Sequence, residues 1–475
     1  MKNLLKLSAI CLIAAAAMSC QKEPVSGTGE GQAIILKMNF GAPESKAEIT
    51  TGNEAYNTGS NYSAIDIFFT DATGKVLKKY TGKDGGTTDQ QTIWTNLAAN
   101  GVRFLGLEGV SRVYVVAHNE SFTTPAEEAN MSELKADIQN LGYSVAQAAI
   151  PYLGADYSLA TAGDVSELPT VPEGESSTAS QTLQADITIR PVISRLQMKK
   201  IGVAQNGSLE LTEKQLGVGE SKTVKYKVEW TGFNPTLVGI YMSNFYKNAV
   251  IDGNNFTSAE TFATPGNEGA IANGAWGGLE AEYNKIAAYH NYDASYKALF
   301  NTALNNTSAD GNNFYFYDNA KDGNKVIPFN FFVPYDITSD KTDGTEVMSG
   351  ALTPAFHLQF TNTSGPTISS VQIDDGSGSG YVDVTDDDIE LQIKSQFTFP
   401  TTADGTAFAN IVKFYDGTTT ADVEIQPAKI YNMSDVLVTP FNITGTTKYS
   451  SQKNVVVKVT VVNFTETDVD PGFDK

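Results

Sequence analysis

The sequence predicts a mainly β protein built of two sandwich-like domains with a few short helices. Short runs of β-branched and aromatic residues recur along the chain, turns rich in Gly, Asn and Asp separate them, and segments with helical spacing are few. The 475 residues give room for two such units, each large enough to bury a core. Burial must carry the stability, because Cys11 and Cys20 are the sole cysteines and both lie at the N-terminal end.

The chain opens with Lys2 and Lys6 around an apolar run from Leu4 to Met18. The run is too short, and too soon followed by polar residues, for a spanning helix, so residues 1–19 are expected to be a signal peptide. Ala17-Met18-Ser19-Cys20 sets small residues before a cysteine and resembles the lipobox of bacterial lipoproteins. Cys20 is therefore the expected lipidation site and the first residue of the exported chain. Cys11 leaves with the signal.

Next comes the strand Gln32 to Phe40, where Ile34, Leu36, Met38 and Phe40 alternate onto one face. Ser63 to Thr70 and Lys75 to Tyr80 flank the turn Asp71-Ala72-Thr73-Gly74 and read as a hairpin. Arg112 to Ala117 is a short buried strand. Glu127 to Leu141 carries Met131, Leu134, Ile138 and Leu141 at helical spacing and reads as a helix. Residues 161–181 lack large apolar side chains and read as a solvent-facing loop near the end of the first domain. Ala185 to Met198 returns to strand character and leads into the second domain, with Pro191 expected at an edge, a bulge or a crossing point.

In the second half, Val224 to Thr231, Leu237 to Met242, Asn313 to Tyr317, Phe329 to Val333, Phe356 to Phe360 and Ile389 to Phe399 read as strands. Gly278 to Phe300 reads as one long helix. Asn454 to Phe464 is the last strand, with Val455, Val457, Val459 and Val461 alternating and Phe464 at its end. An acidic tail follows.

Net charge is −21, and removal of the signal makes it more negative. Such a surface repels nucleic acid and leaves no basic patch for anionic lipid. His118, His290 and His357 lie far apart and without a partner at metal spacing. The cluster Asp374-Asp375, Asp383 and Asp386-Asp387-Asp388 lacks the alternation and terminal Glu of a calcium loop, so it reads as a solvated acidic turn. Tyr283, Tyr289, Tyr292 and Tyr296 share the long helix and read as packing residues; a sugar-stacking platform is the competing interpretation. No constellation marks an enzyme, and no cofactor or metal site is expected.

The two ends carry the functional signal. Gly41-Ala42-Pro43-Glu44-Ser45-Lys46-Ala47-Glu48 follows the first strand as exposed polar chain with a basic residue, a place for proteolysis. A cut after Lys46 would detach the whole strand and leave a groove of unpaired backbone, a hazard unless another chain supplies a strand. Asn454 to Phe464 is the candidate for that donated strand. A free donor filling five inward positions would gain about 7–15 kcal/mol before ordering costs.

With these features the chain resembles the major fimbrial subunit (fimbrillin) family of Bacteroidales, the type V pilus proteins. The resemblance rests on the order of segments: the lipobox at Cys20, the strand before a basic site, and Ala64-Ile65-Asp66-Ile67-Phe68-Phe69. It runs on through Val113-Tyr114-Val115-Val116-Ala117-His118-Asn119 and Arg190-Pro191-Val192-Ile193-Ser194-Arg195. Gly239-Ile240-Tyr241-Met242-Ser243-Asn244, Phe314-Tyr315-Phe316-Tyr317-Asp318-Asn319 and Ile430-Tyr431-Asn432-Met433 complete it, with the closing Val-rich strand.

The resemblance implies two transthyretin-like sandwiches, residues 47–195 and 196–475, behind a lipidated pro-segment at 20–46. It implies an outer-membrane lipoprotein precursor cleaved at Lys46–Ala47 and then an extracellular fimbrium joined by donor-strand exchange. The partners it implies are other copies of the chain, further fimbrial subunits, a maturation protease and, before cleavage, the outer membrane. The family's cleavage residue is an arginine; lysine stands in its place here. A stalk role is expected, with a tip, anchor or accessory subunit and a surface glycan-binding lipoprotein as alternatives.

Overall fold

The computed structural model describes residues 32–40, 62–118, 122–137, 151–172, 181–214, 222–251, 256–258, 261–262, 313–316, 327–333, 353–397, 399, 406–415, 423–445 and 453–463, with breaks of one to three residues inside some ranges. Cys20, Lys46 and Ala47 lie outside them, as do His290, the proposed helix at 278–300 and its tyrosines.

The fold is mainly β. Nine strands make the first sandwich: β1 (Gln32–Phe40), β2 (Ala64–Thr70), β3 (Val76–Gly82), β4 (Val102–Phe104), β5 (Arg112–His118), β7 (Tyr152–Asp156), β8 (Ala160–Thr161), β9 (Thr170–Val171) and β10 (Gln181–Pro191). They follow the order β3-β2-β5-β7-β10-β1-β4-β9, with β8 on β10. The path folds over at β10. Residues 181–189 pair with β1, whereas Arg190 and Pro191 pair with β7. Pro191 thus sits at a crossing point, where the missing N–H interrupts no long ladder.

Between the two layers lies one core. Ile34, Leu36 and Met38 of β1 meet Ile65, Ile67 and Phe69 of β2, Val113 and Val115 of β5, and Ile187 and Ile189 of β10. One helix, α1 (Thr88–Asn96), closes this core with Ile93 and Trp94. Thr87 and Gln90 cap it reciprocally, satisfying two orphan N–H groups.

The second half contains an eight-stranded sheet, β15 (Thr236–Ser243), β22 (Ala355–Thr361), β25 (Thr406–Tyr415), β29 (Val455–Asn463), β26 (Lys429–Met433), β11 (Ser194–Met198) and β21 (Ile327–Phe331) in that order, with β28 (Ile443–Thr444) on β25. Against it packs a four-stranded sheet of β13 (Gly207–Lys214), β14 (Thr223–Thr231), β23 (Thr367–Asp374) and β24 (Val382–Asp383). Val224, Tyr226, Val228 and Trp230 alternate inward from β14 to join Phe356, Leu358, Phe360 and Ile411. Smaller sheets group β12 (Lys200–Val203) with β20 (Asn313–Phe316) and β27 (Val436–Val438), and β16 (Phe245–Tyr246) with β19 (Thr261–Phe262). In a third, β17 (Asn248–Ile251) pairs with β18 (Phe256–Ser258) and with β6 (Lys135–Asp137) from the first half.

Two expectations are corrected. The helix expected from Glu127 is not formed as far as Asp137: Met131–Glu133 forms a single 3-10 turn and Lys135–Asp137 a strand, while Ile138 and Leu141 lie outside the described residues. The backbone there bonds to β3, with Val76 N–H donating to Ala129 and Glu128 N–H to Val76, so a helical ladder is replaced by cross-strand bonds. Met131 and Leu134 are still buried. Ile389 to Phe399 begins not as a strand but as α2 (Asp387–Ser395). Asp386 accepts from the N–H groups of Asp388 and Ile389, and the acids of the first turn favour the helix N-terminus. That explains the run Asp386-Asp387-Asp388 without any ion. In the expected loop 161–181, Val171 is buried and pairs through β9 with β4.

Candidate strand-exchange site

β1 occupies the middle of its sheet. Nine residues run parallel to β10, from Gln32 opposite Gln181 to Phe40 opposite Ile189. On its other edge Ile34, Ile35 and Leu36 run antiparallel to Phe104, Arg103 and Val102 of β4. Ile34, Leu36 and Met38 are buried in the core, and Ala33 and Ile35 are buried on the opposite face. Phe40, the fourth predicted inward residue, is within the strand.

The slot is closed by backbone as well as by side chains. Met38 N–H donates to Leu97 O at 3.0 Å, and Leu107 N–H donates to Gln32 O at 3.0 Å. Gly101 turns the chain into β4 at φ +91°, and a Cβ there would come within 3.0 Å of Leu36 O. Glycine is required at this position by both conformation and space. Removal of β1 would leave β10 and β4 with facing unpaired edges over an apolar trough, a surface that invites another strand.

The predicted donor strand occupies a comparable position in the second half. β29 lies between β25, to which it is parallel (Ile411 opposite Val455), and β26, to which it is antiparallel (Met433 opposite Val459). Val455, Val457 and Val459 are buried in the second core. Val461 belongs to the same strand, opposite Tyr431; Phe464 lies outside the described residues. The strand expected to be donated is thus built into its own sheet along both edges.

A polar cluster on β2 is the nearest approach to a chemical constellation. Asp66 is buried and receives hydrogen bonds from the hydroxyls of Thr81 and Thr124. Lys79 Nζ is 3.0 Å and His118 Nε2 3.2 Å from its Oδ2. Burial alone would raise its pKa, yet the bonds from His118, Thr124 and Thr81 and the Lys79 charge outweigh it and hold the carboxyl well below its usual range. Thr124 donates to the carboxylate rather than to the imidazole, so the nucleophile–base–acid order of a hydrolase triad is not formed. The cluster ties the segment after β5 back onto β2 and β3. Sequence reading missed it, since no local spacing joins residues 66, 81, 118 and 124.

Among the described residues, no group of three His, Cys, Asp or Glu side chains is placed to hold a metal ion, and no helix is long and apolar enough to cross a membrane. Asp374 and Asp375 instead accept from Gly376 N–H and Ser377 N–H of their own turn.

No family model matches the chain, and no curated protein matches it. Among solved structures it is similar to a fimbrilin from Porphyromonas gingivalis, at 12% identity over 91% of this chain and 97% of that chain, with a TM-score of 0.38. A putative cell adhesion protein from Bacteroides eggerthii matches at 12% identity over 91% and 95%, with a TM-score of 0.34. The tip fimbrial protein from Porphyromonas gingivalis, with its C-terminus truncated, matches at 9% identity over 91% and 99%, with a TM-score of 0.31. These three solved structures are described as a fimbrilin, a putative cell adhesion protein and a tip fimbrial protein, each at 12% identity or less.

Proposed function

We propose that this chain is a structural subunit of a cell-surface fimbria. It is exported as a lipoprotein on Cys20, matured by a protease between Lys46 and Ala47, and joined to other subunits by strand exchange at the β1 slot, most simply as a stalk subunit. The observation that carries this reading is the position of β1. It is the first strand among the described residues, hydrogen-bonded on both edges and buried on both faces, and Lys46 lies between it and β2 in the sequence. A single cut there separates a central core strand from the rest of the polypeptide. Division of the mature chain after residue 195 falls within β11, whose five residues belong to the second large sheet.

The energetics differ from those of a free donor. β29 already buries Val455, Val457 and Val459 at home, so its transfer exchanges one apolar environment for another. The gain of about 7–15 kcal/mol reckoned for an exposed strand reduces to the difference between two filled slots. Assembly must then draw on contacts beyond the strand, or on a subunit whose β29 is released before it is used.

That feature favours a second reading within the same class: a subunit that accepts a strand and keeps its own, as a fibre end would. Lys46→Ala separates the fimbrial reading from its rivals. Cells making this variant are expected to carry uncleaved chain and no fibres. Fibres of normal length from it would contradict the maturation scheme, and a cleaved wild-type chain that caps fibres without extending them would select the end-subunit reading.

A further inference from the structure

Among the described residues β13 is an open edge strand: it pairs with β14 alone, and no other element bonds to its outer backbone. The chain treats the edge of the first sandwich differently. There Val76 N–H donates to Ala129 O, Glu128 N–H to Val76 O, and Lys79 N–H to the carboxylate of Glu127, so the outer side of β3 is occupied. An unoccupied edge is a template for a further strand.

Beside β13 runs a groove of about 390 Å³. Leu209, Leu211 and Glu213, which share one face of the strand, line one side, and Thr439, Phe441 and Asn442 line the other. The far wall is fixed in advance. Asn442 Oδ1 accepts the N–H of Thr439 at 2.9 Å and its hydroxyl at 2.8 Å, and Asn442 Nδ2 donates to Lys453 O at 3.2 Å. Leu211 and Phe441 are buried and give the groove an apolar floor. Its two carboxylates differ. Glu210 is held by Lys225 at 2.8 Å and by the Tyr381 hydroxyl. Glu213 is half-buried and has no hydrogen-bond or ion-pair partner among the described residues.

We propose that this edge is a docking site for an extended basic segment of another protein, added antiparallel to β13 with a lysine or arginine opposite Glu213. Strand addition draws affinity from the backbone and selectivity from the side chains. Apolar residues opposite Leu209 and Leu211 continue the floor, and a cation opposite Glu213 supplies the charge partner that this carboxylate lacks. The same carboxylate turns away apolar and acidic strands, and a chain of net charge −21 repels its own copies, so a second copy is the poorer occupant. The site is independent of strand exchange at the β1 slot and gives the subunit a binding surface of its own.

The test uses the full, uncut chain and a labelled peptide, Lys-Thr-Val-Lys-Val-Thr, blocked at both ends, whose residues stand opposite positions 213 to 208 in turn. Fluorescence anisotropy should show binding that weakens with salt, and amide exchange should slow in residues 207–214. Glu213→Gln should weaken binding about tenfold. Glutamate in place of the probe's lysines should abolish it. So should N-methylation of the probe's pairing amides, a control that leaves the protein untouched. Equal binding of the lysine and glutamate probes, or equal affinity in Glu213→Gln, overturns the proposal, and so does a lysine probe that does not bind. Self-association of the uncut chain that the probe disperses would assign the edge to a second copy and overturn it too. None of these outcomes bears on the strand-exchange reading.

Discussion

His357 on β22 stands directly opposite Asn410 on β25, its Nδ1 2.7 Å from the amide oxygen. Both are buried, on the sheet face opposite that of Phe356 and Leu358. Asn410 Oδ1 can only accept, so Nδ1 carries the hydrogen of this bond. Burial pushes its pKa down to about 4, while the bond to Asn410 pulls it the other way.

The sign of the pH dependence follows. Between about 4 and 6.5 the unfolded chain binds a proton at this position that the folded chain does not. The contribution of His357 is therefore complete above pH 6.5 and is lost as pH falls towards 4, by roughly 3 kcal/mol in all. Urea midpoints measured from pH 7.5 to 4 should fall faster for the wild-type chain than for His357→Gln. Parallel curves would contradict this assignment.

Asp66 acts in a different window. Its carboxyl is held below the ordinary value of 3.8, so its contribution is present above that pH and is lost only as pH falls further. Asp66→Asn leaves Lys79 facing a neutral amide in a buried cluster and is expected to cost about 3–5 kcal/mol. Hydrogen exchange should show the loss first in residues 122–129, which Thr124 ties to the carboxylate. A variant as stable as the wild type would remove the cluster from the account.

Leu36→Ala should destabilise the uncut chain by about 2–5 kcal/mol, the range for emptying a buried leucine site. In chains taken from assembled fibres the same substitution should have no effect, because β1 has gone. A persisting difference in mature chains would mean that β1 is retained.

Gly101→Ala probes the wall of the same slot. It places a side chain at φ +91° and within 3.0 Å of Leu36 O, and is expected to cost about 1–3 kcal/mol of unfolding free energy. A neutral result in chemical denaturation would show that β4 yields readily.

The strands that alternate cleanly were the legible part. β1, the β2–β3 hairpin, β5, β14, β22 and β29 all lie where residue type and period two place them. Legibility failed where a non-local partner decided the outcome. The residues around Met131 have helical spacing, but β3 offers their backbone a strand edge and takes the hydrogen bonds. Ile389 to Phe399 looked like a strand because its apolar residues were weighed without Asp386, whose capping starts α2. Thr87 and Gln90 offered the same signal for α1, three residues apart. At the functional site, the inward set Ile34, Leu36 and Met38 was readable from alternation. The enclosure of β29 on both edges was not, because its neighbours β25 and β26 are set by long-range pairing. Removal of residues 454–475 consequently takes a central strand from the second core and tests folding as much as assembly.

The central claim is that β1 is removed when the subunit enters a fibre. It is tested most directly by the intact mass and N-terminal sequence of protein sheared from the cell surface. The account predicts a chain that begins at Ala47 and carries no lipid. A lipidated chain that still begins at Cys20 and retains β1 would contradict it.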